Sequence, residues 1–206
     1  MNNGLERFII WRATDNEKLP DVSFIPPMAR RRMTDLQKIT IGLATAIAPS
    51  KPDYNIIFAS QFGEWQQTIK LIEQFARDGE MSPAGFSNSV HNAAAGALAI
   101  LAKNKNSYTS IAAGERTLEN AILTAIAAKK TTMVIYADEQ SPDVYNDYLS
   151  APVGAHGMAF MLDKNAERKF TWTPNNTELP PLTFDRFAEF LSRGGDIATS
   201  IWKITE

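Results

Sequence analysis

Residues 107–137, SYTSIAAGERTLENAILTAIAAKKTTMVIYA, decide the fold class of this chain. The run 108–113 predicts a strand, and Gly114 follows it where a tight turn is expected. Apolar residues then recur at every fourth position from 118 to 126, which is the spacing of a helix face. Residues 131–137 are almost continuously apolar, as is typical of a buried strand. The order strand, turn, helix, strand predicts a βαβ unit.

The upstream sequence continues the same alternation of strands and helices. Thr34 is a plausible cap for a helix that Pro49 ends, and Gly79 stands where a second helix should stop. The predicted elements are, in chain order, a strand at 8–11, a helix at 34–47, a strand at 56–59, a helix at 64–77 and one helix at 82–101.

The downstream sequence predicts two more strands, at 157–162 and 170–172, separated by a charged turn at 163–169. We expect these two strands to form an antiparallel hairpin at one edge of the sheet, followed by a helix at 184–191. The 206 residues are therefore predicted to form one α/β domain with a mostly parallel sheet and flanking helices.

Composition excludes several functional classes. The sequence has no cysteine, which removes disulfides, thiolate metal sites and thiol nucleophiles. A formal net charge of −2 does not indicate a surface that binds nucleic acid. The first residues fit neither a signal peptide nor a membrane span. There is also no glycine-rich phosphate loop of known spacing. We expect a cytoplasmic protein that holds neither a metal nor a cofactor of its own.

Three segments together resemble the amino-terminal half of the thiolase-fold β-ketoacyl synthases. An arginine-rich entry, PMARRRMT at 27–34, precedes a long helix, and SPAGFSNSVHNAAAG at 82–96 is similar to the substrate-lining helix of that family. The third segment, SYTSIAAGE at 107–115, occupies the place where a condensing ketosynthase carries its cysteine on a strand-to-helix elbow. The resemblance spans roughly residues 28–163 and implies a thiolase-like fold.

The chemistry of a condensing enzyme is not expected here. The elbow holds only Ala112, Ala113 and Gly114, none of which can be acylated as a thioester. The sequence spans about half the usual length of the family, so the family's two catalytic histidines, which lie in the carboxy-terminal half, are expected to be missing. His91 and His156 do not stand at those places, and we assign His91 a structural role.

A scaffold without the chemistry resembles a chain length factor, the non-condensing partner of a ketosynthase in type II polyketide systems. The sequence SVHNAAAG at residues 89–96 is most similar to the chain length factors found with aryl polyene synthases. The resemblance therefore implies a place in polyketide or fatty-acid assembly. The resemblance implies a heterodimer with a β-ketoacyl synthase, or a dimer of such heterodimers, and phosphopantetheine that arrives on an acyl carrier protein. The residues expected to line the acyl tunnel are Phe86, Ser89, Val90 and Ala93. Bulk at such positions would limit chain length, because a rigid polyene needs an apolar slot.

Several signals also have plainer interpretations. Arg30, Arg31 and Arg32 either form a solvated face or dock an acidic carrier or the partner subunit. A free-standing acyltransferase or thioester hydrolase that uses Ser110 or Thr109, with His91 as base, is the alternative function, and a scaffold that only binds the carrier is a third.

The acidic residues Asp138, Glu139 and Asp143 are interpreted as a solvated loop, since a metal site would need better-spaced ligands.

Overall fold

The computed structural model describes residues 2–128, 130–163 and 169–205. Within these residues the strands are β1 (Asn2–Arg12), β2 (Asn55–Ala59), β3 (Tyr108–Ile111), β4 (Thr132–Asp138), β5 (His156–Asp163), β6 (Lys169–Pro174), β7 (Ile197–Ala198) and β8 (Trp202–Thr205). The helices are α1 (Pro27–Arg30), α2 (Asp35–Ile47), α3 (Trp65–Asp78), α4 (Pro83–Ser87), α5 (Ala93–Leu101), α6 (Thr117–Ala127) and α7 (Phe184–Arg193).

The start of α2 and the end of α3 are set by capping residues. Thr34 caps α2 through a capping box, in which its hydroxyl accepts from the Gln37 amide and the Gln37 side chain accepts from the Thr34 amide. Gly79 ends α3 in the left-handed conformation, with φ of 72°. The predicted ends of these two helices are thereby confirmed.

The described strands form one sheet in the order β3-β2-β4-β5-β1-β6-β8-β7. β2 pairs with β3 and β4 in parallel, whereas the pairings from β4 through β5, β1, β6 and β8 to β7 are antiparallel. Strands β1, β2, β3, β4 and β8 consequently run in one direction. The predicted α/β class with flanking helices is confirmed, and its parallel βαβ part is the three-stranded β3-β2-β4 end of the sheet.

Two predictions about the chain's course are wrong. β5 and β6 do not form a hairpin, because β1 lies between them and pairs with both. The pattern of alternation cannot show this, since β1 enters the sheet from the other end of the chain. Most of the charged turn predicted at 163–169 lies outside the described residues.

The second error concerns the helix predicted at 82–101, which is two helices, α4 and α5, separated by residues 88–92. Side chains in this break bond to the backbone or to other elements rather than continuing the helix: Asn88 accepts from Gln37 Nε2 at 3.2 Å, and Ser89 Oγ donates to the Phe86 carbonyl at 2.9 Å. Such bonds compete with helical geometry at Asn and Ser.

Apolar side chains cover both faces of the sheet. One core contains Phe58, Ile135 and Met161 and packs against α2 and α5. The other contains Ile57, Val134 and Phe160 and packs against α6 and α7, with Trp202 fully buried among them. In the part of the chain that the structure describes, no helix combines the length and apolarity that a bilayer crossing requires.

Candidate functional site

The turn between β3 and α6 contains the three small residues of the predicted elbow. Gly114 has φ of 56°, a left-handed conformation that suits glycine. The Thr117 hydroxyl accepts from the Ala113 amide at 2.8 Å and donates to the Gly114 carbonyl at 2.7 Å. The turn is therefore held by the first residue of α6.

The side chains presented by this turn are chemically inert. Ala112, Ala113 and Gly114 are exposed and carry only a methyl group or a hydrogen. No cysteine exists in the 206 residues to take their place. This turn consequently offers no atom that could accept an acyl group.

Ser110, the nucleophile of the alternative function, lies on β3 next to the turn. Its hydroxyl is buried and makes no hydrogen bond with any described residue. His91, the base that this alternative needs, has Nε2 3.0 Å from the Ser60 carbonyl, a contact in which the nitrogen must donate. A serine nucleophile requires a hydrogen-bonded base, so the arrangement does not favour acyl transfer by Ser110.

His91 instead packs as a structural residue. Its ring lies 5.7 Å from the Phe58 ring, measured between centroids. A Cβ at Gly63, whose φ is 64°, would approach the His91 ring to 3.1 Å. Together with the bond to Ser60, these contacts fix the break between α4 and α5 against the end of β2.

The four residues predicted to line a tunnel lie on the α4–α5 segment, and two of them are prominent on the surface. Phe86 and Val90 are 58% and 40% exposed. Ser89 and Ala93 are partly buried. Large apolar side chains on a surface mark a site of contact when they gather in one region, and this segment has that character.

The edge strand β3 and the end of α5 also carry exposed apolar side chains. Tyr108, at the start of β3, is 44% exposed, and Ile100, on α5, is 81% exposed. A Cβ at Gly96 of α5 would lie 3.8 Å from the Tyr108 hydroxyl, so the helix passes close to the edge strand. Among the described residues β3 pairs only with β2, which leaves its outer edge open.

The three consecutive arginines occupy the end of α1 and the residues after it. Arg30 is partly buried, with Nη1 3.5 Å from the Val22 carbonyl. Arg31 and Arg32 are exposed and line a cleft of about 650 Å³. This cleft is called the basic cleft below.

The structure also contains a group of buried carboxyls that sequence reasoning missed. Asp138 and Glu139 are 1% and 3% exposed rather than solvated, and Glu64 is 2% exposed. Only Asp143, of the three acidic residues interpreted as a loop, is exposed. No sequence signal links position 64 to 138, because the fold brings together the ends of β2 and β4.

Each buried carboxyl accepts hydrogen bonds from a neighbouring element. Asp138 Oδ1 accepts from the Ser60 hydroxyl at 2.6 Å and from the Phe62 amide at 3.1 Å. Glu139 Oε1 accepts from the Gln66 amide at 2.9 Å, and Glu64 Oε1 accepts from the Thr34 hydroxyl at 2.9 Å. These bonds join α2, α3 and β4.

Burial dominates the acidity of the group. It raises the pKa of Glu64 to about 8 and the pKa of Glu139 to about 7, and it also raises the pKa of Asp138. The described residues contain no set of three side chains arranged to hold a metal ion. Because burial raises their pKa values, Glu64 and Glu139 hold protons near neutral pH to a larger extent than exposed carboxyls do.

A second cleft, of about 850 Å³, lies on the other side of β4. Arg12, His156 and Asp138 are register neighbours across β1, β5 and β4 and all line it. His156 Nδ1 lies 2.8 Å from the Gly154 carbonyl, and its ring meets the Phe184 ring edge-on at 4.7 Å. The predicted strand starts at residue 157, whereas β5 starts one residue earlier, at His156.

Comparison with known proteins connects these observations to a family. A family model described as "Beta-ketoacyl synthase, N-terminal domain" matches residues 9–185. The sequence matches no curated protein.

Solved structures with similar folds include assemblies of ketosynthases. One is the ketosynthase (ApeO) in complex with its chain length factor (ApeC) from Xenorhabdus doucetiae, with a TM-score of 0.78, 18% identity, and coverage of 100% of both chains. The ishigamide ketosynthase/chain length factor has a TM-score of 0.58 and 16% identity, with coverage of 75% of this chain and 53% of the other.

A third is AntDE:AntF, a type II polyketide synthase acyl-carrier protein in complex with its ketosynthase bound to the hexaketide. It has a TM-score of 0.57 and 13% identity, with coverage of 75% of this chain and 56% of the other. This chain thus spans about half the length of the last two matched chains. At these identities the likeness establishes the fold.

Proposed function

The chain belongs to the β-ketoacyl synthase family through its amino-terminal domain, and on this premise we propose that it is a non-catalytic chain length factor. In this function it pairs with an active ketosynthase of a type II polyketide system and shapes the tunnel for the chain carried by an acyl carrier protein. The product class that we propose is an aryl polyene.

The composition of the elbow carries this proposal. Condensation begins with transfer of the acyl chain to a cysteine thiolate. The turn from β3 to α6 offers Ala112, Ala113 and Gly114 instead, and the sequence contains no cysteine at all. A subunit of this composition depends on the partner's sulfur.

A contact surface for the partner is proposed along β3 and the α4–α5 segment. An open strand edge can pair with a second chain, and exposed apolar side chains beside it lose contact with water when they are covered. Phe86, Val90, Ile100 and Tyr108 supply such side chains here. Covering them would explain a requirement for a partner.

The tunnel is proposed to run between the two subunits past Phe86, Ser89, Val90 and Ala93. A rigid, flat polyene needs an apolar slot, and each added two-carbon unit needs free volume at its end. Phe86 supplies bulk, whereas Ala93 leaves space. Exchanging large and small side chains at these positions should change the length at which elongation stops.

The carrier is proposed to dock at the arginines. Arg31 and Arg32 are exposed, and carrier proteins present acidic surfaces. Phosphopantetheine would then arrive on the carrier, without a cofactor resident in this chain. Docking of this kind should weaken as the salt concentration rises.

Co-expression with the ketosynthase tests the proposed function. We expect a stable complex whose carrier-bound product, measured by mass spectrometry, differs from that of the ketosynthase alone. The chain expressed by itself should self-associate or precipitate. A well-folded monomer that does not bind the ketosynthase and leaves its products unchanged would contradict the proposal.

A further inference from the structure

The basic cleft has a concentration of positive charge that extends beyond Arg31 and Arg32, the two arginines proposed above to dock the carrier. It lies between the first turns of α2 and α3 and the residues that follow β4. Its cationic side chains are Lys18, Arg31, Arg32, Lys38 and Lys70. Its acidic side chains are Asp35 and Glu139. Because the whole chain has a formal net charge of −2, this local excess of cations is a departure from the average surface.

Three of these cations make no ion pair among the described residues. Lys38 pairs with Asp35 at 2.8 Å, so those two charges largely cancel. Arg31, Arg32 and Lys70 make no ion pair with any described residue. Their guanidinium and ammonium groups remain available to an anion that enters the cleft.

Glu139 at the cleft wall does not neutralise this charge fully. Its carboxyl is almost completely buried and accepts a hydrogen bond from the Gln66 amide. Burial raises its pKa to about 7, so near neutral pH a large share of the molecules carry it uncharged. The cleft is therefore cationic under ordinary conditions.

The remaining lining suits more than a bare ion. Gln66, Gln67, Asn88 and Gln140 contribute amide side chains. The amide nitrogens of Gln66 and Gln67 already donate to the carbonyls of Gln140 and Gly85, at 3.0 and 3.2 Å. Their oxygens are left to accept from a ligand's N–H or O–H groups. A volume of about 650 Å³ also lies within the usual range of small-molecule sites.

We propose that the basic cleft is a binding site for an organic phosphate, whose phosphate is held by Arg31, Arg32 and Lys70 and whose polar body contacts Gln66 and Gln67. Guanidinium groups match phosphate oxygens in a two-pronged geometry. A phosphate monoester also carries close to two negative charges and three acceptor oxygens, which suits three cations better than the single charge of a carboxylate. The site is independent of the ketosynthase partner, since all its groups belong to this chain.

Calorimetric titration of the full chain tests the site. The probes are 4′-phosphopantetheine, AMP and inorganic phosphate, with pantetheine as the phosphate-free control, all at constant ionic strength. A preparation recovered only with a ketosynthase is titrated as that complex, with every substitution placed in this chain. At least one organic phosphate should bind about tenfold or more tightly than both pantetheine and inorganic phosphate. Whichever of 4′-phosphopantetheine and AMP binds more tightly indicates the kind of organic group that the phosphate carries.

Substitutions locate the site. Arg31→Gln and Lys70→Gln should each weaken binding about tenfold, as expected for loss of one charge-assisted contact. Lys51→Gln and Arg77→Gln, which remove exposed charges outside the cleft, should leave it unchanged. All four side chains are exposed, and melting curves followed by circular dichroism verify folding. Binding of both organic phosphates no tighter than that of pantetheine and inorganic phosphate, or binding unaltered by Arg31→Gln and Lys70→Gln, would overturn the proposal.

Discussion

Replacing Glu64 by glutamine should change how the stability of this protein depends on pH. Glu64 is 2% exposed, and burial raises its pKa from 4.5 to about 8. The folded chain thus keeps a proton that the unfolded chain releases over this interval. The contribution of Glu64 to stability is largest below pH 4.5 and falls as the pH rises towards 8, by about 1.4 kcal/mol per pH unit. Accumulated up to pH 8, this loss is on the order of 5 kcal/mol.

Glutamine removes the ionisation while keeping most of the local geometry. Its side-chain carbonyl can still accept from the Thr34 hydroxyl, which is 2.9 Å from Glu64 Oε1. The new amide nitrogen takes the place of Oε2, an atom without a hydrogen-bond partner among the described residues. We expect the variant to differ from the wild type by about 1 kcal/mol or less at pH 5, where both side chains are neutral. At pH 9 it should be more stable by about 2–5 kcal/mol.

Urea unfolding from pH 5 to pH 9 measures this difference, and a chain recovered only with its ketosynthase is unfolded as that complex, with every substitution placed in this chain. Glu73→Gln is the matched control, because Glu73 is exposed on the same helix, α3. The control should follow the wild-type curve at every pH. Glu139, whose pKa is raised to about 7, still contributes a slope in the Glu64→Gln variant. Parallel curves of unfolding free energy against pH for Glu64→Gln and wild type would refute the claim that burial raises the pKa of Glu64.

Four further substitutions test the function and the fold. In the reconstituted pair, Phe86→Ala should lengthen the carrier-bound product and Ala93→Trp should shorten it, as read by mass spectrometry; unchanged products from both would favour a scaffold that never touches the chain. Ser110→Ala should leave product formation unchanged, since the hydroxyl is buried and makes no hydrogen bond within the described residues. Lost turnover would favour the serine-based alternative. Trp202→Ala should lower the free energy of unfolding, measured by chemical denaturation, by about 3–5 kcal/mol, because Trp202 is 0% exposed and its Nε1 donates to the Glu119 carbonyl at 3.0 Å. A loss below about 1 kcal/mol would show that this part of the core does not stabilise the fold.

The parts of the fold that local sequence determines could be predicted. Thr34 and Gly79 mark helix ends through chemistry that involves only their own neighbours. The buried strands β2 and β4 and the turn between β3 and α6 are likewise visible as apolar runs and a glycine. Such signals act over a few residues and do not depend on what the rest of the chain does.

The parts that depend on distant residues could not be predicted. β1 separates β5 from β6, and nothing near residue 163 indicates that a strand from the amino terminus pairs there. The break between α4 and α5 depends on Asn88 bonding to Gln37, a residue 51 positions away.

The same limit applies to the site. The elbow residues were identifiable because they are consecutive in sequence. The buried Glu64 and Glu139 were not, because α3 and the end of β4 meet only in the folded chain, where Glu139 bonds to the Gln66 amide. A carboxyl in a polar stretch is ordinarily solvated, so only the structure identifies these two as buried.

Intact-protein mass spectrometry of the complex with its ketosynthase tests the central claim most directly. The complex is incubated with acyl-loaded carrier protein, and the mass of each subunit is then measured. We predict an acyl adduct on the ketosynthase alone, with this chain retaining its unmodified mass. An acyl adduct on this chain would contradict the claim that it depends on another subunit's thiolate.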